Sequence, residues 1–187
     1  MKKTKRRSVA VPKKTIRLPK KAGIPLVKLM SVYRSHVKEL HSRTKPVTIS
    51  QTTQTIGTDN SWFNAQIIPT ASSWVPVTNT NYVWYSGDLT RDNAIISKTF
   101  QISGRISSAT LFLSVDNYAT VIINGVPLVF DGPTSGASNY NPGRTFTITR
   151  FLRRGRNDIV IIAFNYGGAR SASNPAGVAA RLDISLS

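Results

Sequence analysis

The chain contains no cysteine, which excludes a disulfide framework, a thiolate metal site and thiol nucleophile chemistry. It has two histidines, His36 and His41, and both precede residue 46. The rest of the chain therefore has no imidazole of its own for a serine-histidine pair or a metal triad. Acids are scarce as well: 8 Asp and Glu stand against 25 Lys and Arg, a formal net charge of +17. No apolar run approaches the roughly 18 residues that a membrane-spanning helix needs, and the N-terminus lacks the apolar stretch of a secretory signal. No Gly-rich loop leads into Lys and Ser or Thr in the manner that cradles phosphate.

What is present is an uneven distribution of charge. The first 45 positions hold 15 bases and one acid, Glu39, for a net +14, and the remaining 142 residues hold ten bases and seven acids, for +3. A block this dense repels itself, so its order must come from nucleic acid, an anionic membrane or a groove on partner proteins. The remainder is of ordinary single-domain size, and the predicted division is a basic arm over 1–45 followed by one domain over 46–187.

Within the arm, Lys2, Lys3, Lys5, Arg6 and Arg7, then Lys13, Lys14, Lys20 and Lys21, are interspersed with Pro12 and Pro19, which favour an extended strap. From Ile24 the texture changes. Leu26, Leu29, Met30, Tyr33, Val37 and Leu40 recur at helical spacing, with Pro25 placed for a first turn, so one amphipathic helix is predicted over about 25–42. His36 and His41 read as surface polar residues of that helix. The arm also fits a nuclear-localisation signal, a mitochondrial presequence, a nonspecific nucleic-acid clamp or a solvated tail whose helix packs on its own domain. The reading that combines its features has the stripe Leu26, Met30, Tyr33, Val37 and Leu40 docking on a neighbouring subunit, since a two-sheet sandwich leaves it no evident internal partner, while the strap runs beneath a shell.

Beyond Pro46 the chain is rich in Thr, Ser, Asn, Val and Ile with Gly and Pro punctuation, the composition of an all-β domain. Val178, Ala180, Leu182, Ile184 and Leu186 alternate with Ala179, Arg181, Asp183 and Ser185, the mark of a strand with one buried and one wet face. Ala109, Leu111, Leu113 and Val115 line one face of another strand. Ile159 to Phe164 is a continuous apolar run, as in an inner strand, and Asn124-Gly125 is a hairpin turn between Tyr118–Ile123 and Val126–Phe130. Phe146, Ile148 and Leu152, together with Lys98 to Ile102, predict two further strands. About eight strands with short turns predict a two-sheet jelly-roll sandwich.

The segments "ATLFLSVDNYATVIINGV" (109–126), "FTITRFLRRGRNDIVIIAFN" (146–165) and "PAGVAARLDI" (175–184) resemble the galactose-binding-like jelly-roll domains appended to many glycoside hydrolases. The likeness lies in a strand ending at Asp116-Asn117, a turn at Asn124-Gly125, a Leu-x-x-Gly-x-Asn segment at Leu152, Gly155 and Asn157, and a last strand after Ala176-Gly177. It covers roughly residues 96–187. It implies the fold and these fold-defining turns, and such domains serve as sugar binders, spacers or interaction modules. The arm has no counterpart there.

No catalytic set is evident. The seven acids of the body carry no diagnostic motif, so an enzyme is not expected, and no cofactor is implied. Asp88, Asp92, Asp116 and Asp131 offer oxygen ligands for Ca²⁺, but turn caps account for the same residues. Trp62, Trp74, Trp84, Tyr82, Tyr85, Tyr140 and Tyr166 offer faces for sugar rings, although a sandwich core needs such aromatics too. A jelly roll behind a basic arm resembles the plan of viral capsid proteins. That resemblance implies a structural virion protein, a minor, vertex or surface component of a large DNA virus, located in the virion and in the host nucleus or cytoplasm during assembly. Its partners would be other capsid proteins, copies of itself within the shell, and nucleic acid at the arm. The alternative is a carbohydrate- or cell-surface-binding module with a basic tether, whose partner is a glycan.

Overall fold

The computed structural model describes residues 25–131 and 140–187. One helix, α1 (Leu26–Arg43), precedes eleven strands: β1 (Val47–Ile49), β2 (Thr53–Gly57), β3 (Ala65–Ile67), β4 (Val83–Tyr85), β5 (Asn93–Ile102), β6 (Ile106–Asp116), β7 (Tyr118–Ile123), β8 (Val126–Phe130), β9 (Asn141–Thr147), β10 (Gly155–Phe164) and β11 (Gly177–Leu186). They form a two-sheet jelly-roll sandwich. One sheet runs β1-β5-β10-β7-β8, and the other β3-β4-β11-β6-β9 with β2 added along β11. All pairs are antiparallel except β1 with β5.

The alternation in β6 and β11 sets the core. Leu111, Leu113 and Val115 face Val178, Ala180, Leu182 and Ile184 across the register Ala180↔Leu113, and all are fully buried. Arg181 and Asp183 point the other way and pair at 3.0 Å, and Thr55 on β2 donates to the same carboxylate at 2.7 Å. The opposite wall comes from β5, β7 and β10, whose Ile96, Phe100, Val121, Ile159 and Ile161 complete the interior.

The apolar run of β10 is buried on both faces, and this revises the place of the helix. Ile159, Ile161 and Ala163 face the sandwich core, whereas Val160 and Ile162 face outward with Ile122 of β7 and are covered by Leu29 and Tyr33 of α1. Met30 and Val37 pack at the edge of this second cluster, and Leu40 is buried beside Phe63, Ser97 and Thr99. The helix stripe thus has an intramolecular partner, and the expected packing of Met30, Tyr33, Val37 and Leu40 on another subunit is not what the folded chain shows: an outer sheet face made of Ile and Val would otherwise remain wet. Leu26 is half-buried at the start of α1.

The histidines are corrected for the same reason. His36 is buried, with Nε2 2.8 Å from the Ser97 hydroxyl and its ring 5.3 Å from that of Phe63. His41 Nε2 donates to Asp158 Oδ1 at 2.8 Å. One further expectation shifts: Ile148 and Leu152 flank a 3-10 turn, Thr149–Phe151, rather than belonging to a strand. The strap residues Lys2, Lys3, Lys5, Arg6, Arg7, Lys13, Lys14, Lys20 and Lys21 lie outside the described residues. Among the described residues, no helix is long and apolar enough to cross a membrane.

Candidate functional site

Asp116, Asn117, Asn124, Gly125, Gly155 and Gly177 lie at or next to the ends of strands. Asn124 (φ 50°) and Gly125 (φ 83°) are consecutive left-handed residues joining β7 to β8, the geometry of a two-residue hairpin turn. The Asn124 side chain donates to Phe151 O and Asn157 Oδ1, both at 2.8 Å, and accepts from Asp158 N. Asn157 is fully buried and donates to Arg153 O and Gly155 O while accepting from Arg153 N. At the other end of the sandwich, Asn117 Oδ1 accepts from Tyr166 N at 2.7 Å, and Gly177 is required because a Cβ there would meet the Trp74 ring at 2.6 Å.

The acids considered for Ca²⁺ are separately engaged. Asp88 accepts from the Thr90 backbone and hydroxyl, which hold its carboxyl below the usual range. Asp92 accepts from Asn93, and Asp131 pairs with Arg144 at 2.5 Å. Asp116 accepts from Trp74 Nε1 at 2.9 Å; burial raises its pKa, with the Trp74 and Asn117 hydrogen bonds opposing. Among the described residues no three His, Asp or Glu side chains are grouped for a metal ion.

Most of the candidate aromatics are structural. Trp62, Trp74, Trp84 and Tyr82 are buried, and Trp74 lies 4.5 Å from Tyr82, whose hydroxyl is bonded to Ser114 and Tyr140. Burial is the main reason the Tyr82 pKa is raised. Tyr166 is 45% exposed on the β10–β11 loop. Tyr85 is different again.

Tyr85 ends β4 at the edge of a cleft of about 190 Å³ between α1 and the start of β5. Its ring passes so close to residue 87 that a Cβ there would lie 2.7 Å from it, hence Gly87. The loop then folds back so that the Arg91 guanidinium stands 5.1 Å from the ring centroid. Trp84 Nε1 donates to Arg91 O, and the Arg170 and Asn165 amides donate to Thr90 O and Asp92 O, so the loop is fixed on both sides. Asn64 (φ 61°), Asn93 and Ile95 line the floor, and His36 and Glu39 enter from α1. Burial lowers the His36 pKa and Glu39 partly offsets this.

Of the residues that line this cleft, the sequence singles out only Tyr85 as a binding group. The groups that line it are an aromatic ring, a guanidinium without an ion-pair partner among the described residues, two carboxamides, and the Glu39 carboxylate, which pairs with Arg43 at 2.9 Å. The His36 and Ser97 pair beside it does not supply a nucleophile, because Ser97 is fully buried.

No family model matches the chain, and no curated protein matches it. Solved structures similar in fold include a native α-L-rhamnosidase from Aspergillus terreus (18% identity, 54% of this chain and 13% of that one, TM-score 0.39). They also include a family 35 carbohydrate binding module from Clostridium thermocellum (16% identity, 71% and 92%, TM-score 0.36) and one from Paenibacillus barcinonensis (12% identity, 72% and 99%, TM-score 0.39).

Proposed function

We propose that this chain is a non-catalytic carbohydrate-binding β-sandwich module held in place by its basic arm. The observation that carries the reading is the cleft beside α1. A sugar ring presents an apolar face and a rim of hydroxyls, and it is matched by a flat aromatic surface with planar donors and acceptors around it. Tyr85 supplies the ring. Arg91, Asn64 and Asn93 supply donors, and Glu39, one oxygen of which is held by Arg43, supplies an acceptor at the mouth. The volume of about 190 Å³ suits one ring rather than a long chain. Among the described residues, nothing at the cleft pairs an acid with a second acid or an accessible nucleophile with a base, so the bound sugar leaves unchanged.

The test is a glycan array followed by calorimetry on the full chain. Binding is expected to be lost in Arg91→Ala and Asn93→Ala, to persist in Asp183→Asn on the far face of the second sheet, and to persist when Lys2, Lys3, Lys5, Arg6 and Arg7 are changed to Gln. A glycan bound equally well by Arg91→Ala, or no glycan bound at all, refutes the reading. A second reading, a structural virion component, is favoured by one observation: +14 of the net +17 lies in the first 45 residues. It requires co-sedimentation with particles that the same five Gln substitutions reduce.

A further inference from the structure

The stretch 46–187 carries a basic surface of its own. Four of its arginines, Arg150, Arg153, Arg154 and Arg156, fall within seven residues around the 3-10 turn and the start of β10, and all four are exposed. None has an ion-pair partner among the described residues. The one acid nearby, Asp158, is buried and bonded to His41. Asp88, Asp92, Asp116 and Asp131 belong to the opposite end of the sandwich, where β5 begins and β6 and β8 end. The strand order has therefore separated charge that the composition reports only as +3.

The tip is also rigid. Gly155 (φ 88°) turns the chain, and the carboxamides of half-buried Asn124 and fully buried Asn157 hold the backbone of residues 151, 153, 155 and 158. Arg153 Nε bonds the carbonyl of Arg156, and the Arg150 guanidinium lies 5.0 Å from the Phe151 centroid. His41 of α1 donates to Asp158, two residues beyond Arg156, at 2.8 Å, which places the tip beside that helix. The solvent side of α1 continues the positive surface through exposed Lys28, Arg34 and Lys38. An 18-residue helix adds about 27 Å to the track.

We propose that the arginine tip Arg150–Arg156, continued by α1, binds the phosphates of nucleic acid without reading base sequence. The partner follows from the groups. The tip holds arginine and no lysine, guanidinium forks match phosphate oxygens in pairs, and their planes stack on unpaired bases. A track of this length suits an extended polyanion, and residues 149–156 expose no large apolar side chain to enter a lipid surface. The proposal does not depend on the glycan reading.

The experiment is fluorescence anisotropy of a labelled 20-nucleotide single strand with the full chain between 50 and 200 mM NaCl. Single-strand affinity falls with salt at a log-log slope of about 0.7 per phosphate contact, so replacing Arg153, Arg154 and Arg156 with Gln lowers the slope by about 2. Over that fourfold salt range the wild type then loses about 20-fold more affinity than the variant. Lysines at the same three positions should restore most of the slope, which separates charge from damage to the turn, and thermal melting should show both variants folded. Equal slopes for wild type and the Gln variant overturn the proposal by leaving all binding to the strap. Stronger retention of heparin than of the oligonucleotide, with the slope lost in the same variant, overturns the choice of partner.

Discussion

Truncating Leu40 to Ala tests whether α1 is a third layer of the folded chain. Leu40 is 1% exposed, seated beside Phe63, Ser97 and Thr99, whereas Val27 on the same helix is 75% exposed. A buried Leu→Ala change costs about 2–5 kcal/mol, the spread reflecting how far the surroundings collapse. Leu40 lies at the rim of a small open space rather than in the sandwich centre, so partial relaxation puts the cost near 3 kcal/mol. For a chain of this size each kcal/mol lowers Tm by about 2–4 °C, which gives a fall of about 6–12 °C by circular dichroism melting. Val27→Ala should stay within about 0.5 kcal/mol of wild type. If Leu40→Ala melts together with Val27→Ala, the helix is not docked in the free chain, and its stripe is again available for another subunit.

The strands with one wet face were readable because their pattern is local. Leu182, Ile184 and Leu186 alternate with half-buried Arg181, Asp183 and Ser185, and nothing outside β11 is needed to see it. The docking of α1 was not readable in this way. The helix stripe and the continuous run Ile159–Ala163 each announced a need for cover, and each is the cover of the other, but no local pattern states such a pairing. His36 was misplaced because burial of a polar side chain depends on a partner 61 residues away, Ser97. The cleft has the same character: Tyr85, Arg91 and Asn93 are close in sequence, while His36, Glu39 and Asn64 reach them only through the fold. The arginines of "RFLRRGR" adjoin one another in the sequence, but only the strand order shows that Asp88, Asp92, Asp116 and Asp131 lie at the other end of the sandwich.

Two further outcomes test the polar pairs behind these sites. Burial lowers the His36 pKa, so the folded state holds it neutral below the unfolded value near 6.5; its stabilising effect is full above about pH 6.5 and is lost as pH falls from there towards the lowered folded pKa. The drop in Tm from pH 7.5 to 5.5 should therefore be smaller in His36→Gln than in wild type, and an equal drop would mean the imidazole is not buried against Ser97. Asn157→Ala removes the partners of Arg153 N, Arg153 O, Gly155 O and Asn124 Nδ2 at once, at a residue that is fully buried. Each group left unpaired costs about 1–3 kcal/mol where water cannot reach it, and those near the surface recover part of this, so the net loss in urea unfolding should be about 3 kcal/mol. Exposed Arg156→Ala one residue earlier should stay within about 0.5 kcal/mol of wild type. An Asn157→Ala loss as small as that of Arg156→Ala would show that the tip is held by something other than its two carboxamides, and the fixed presentation of Arg153, Arg154 and Arg156 would lose its physical basis.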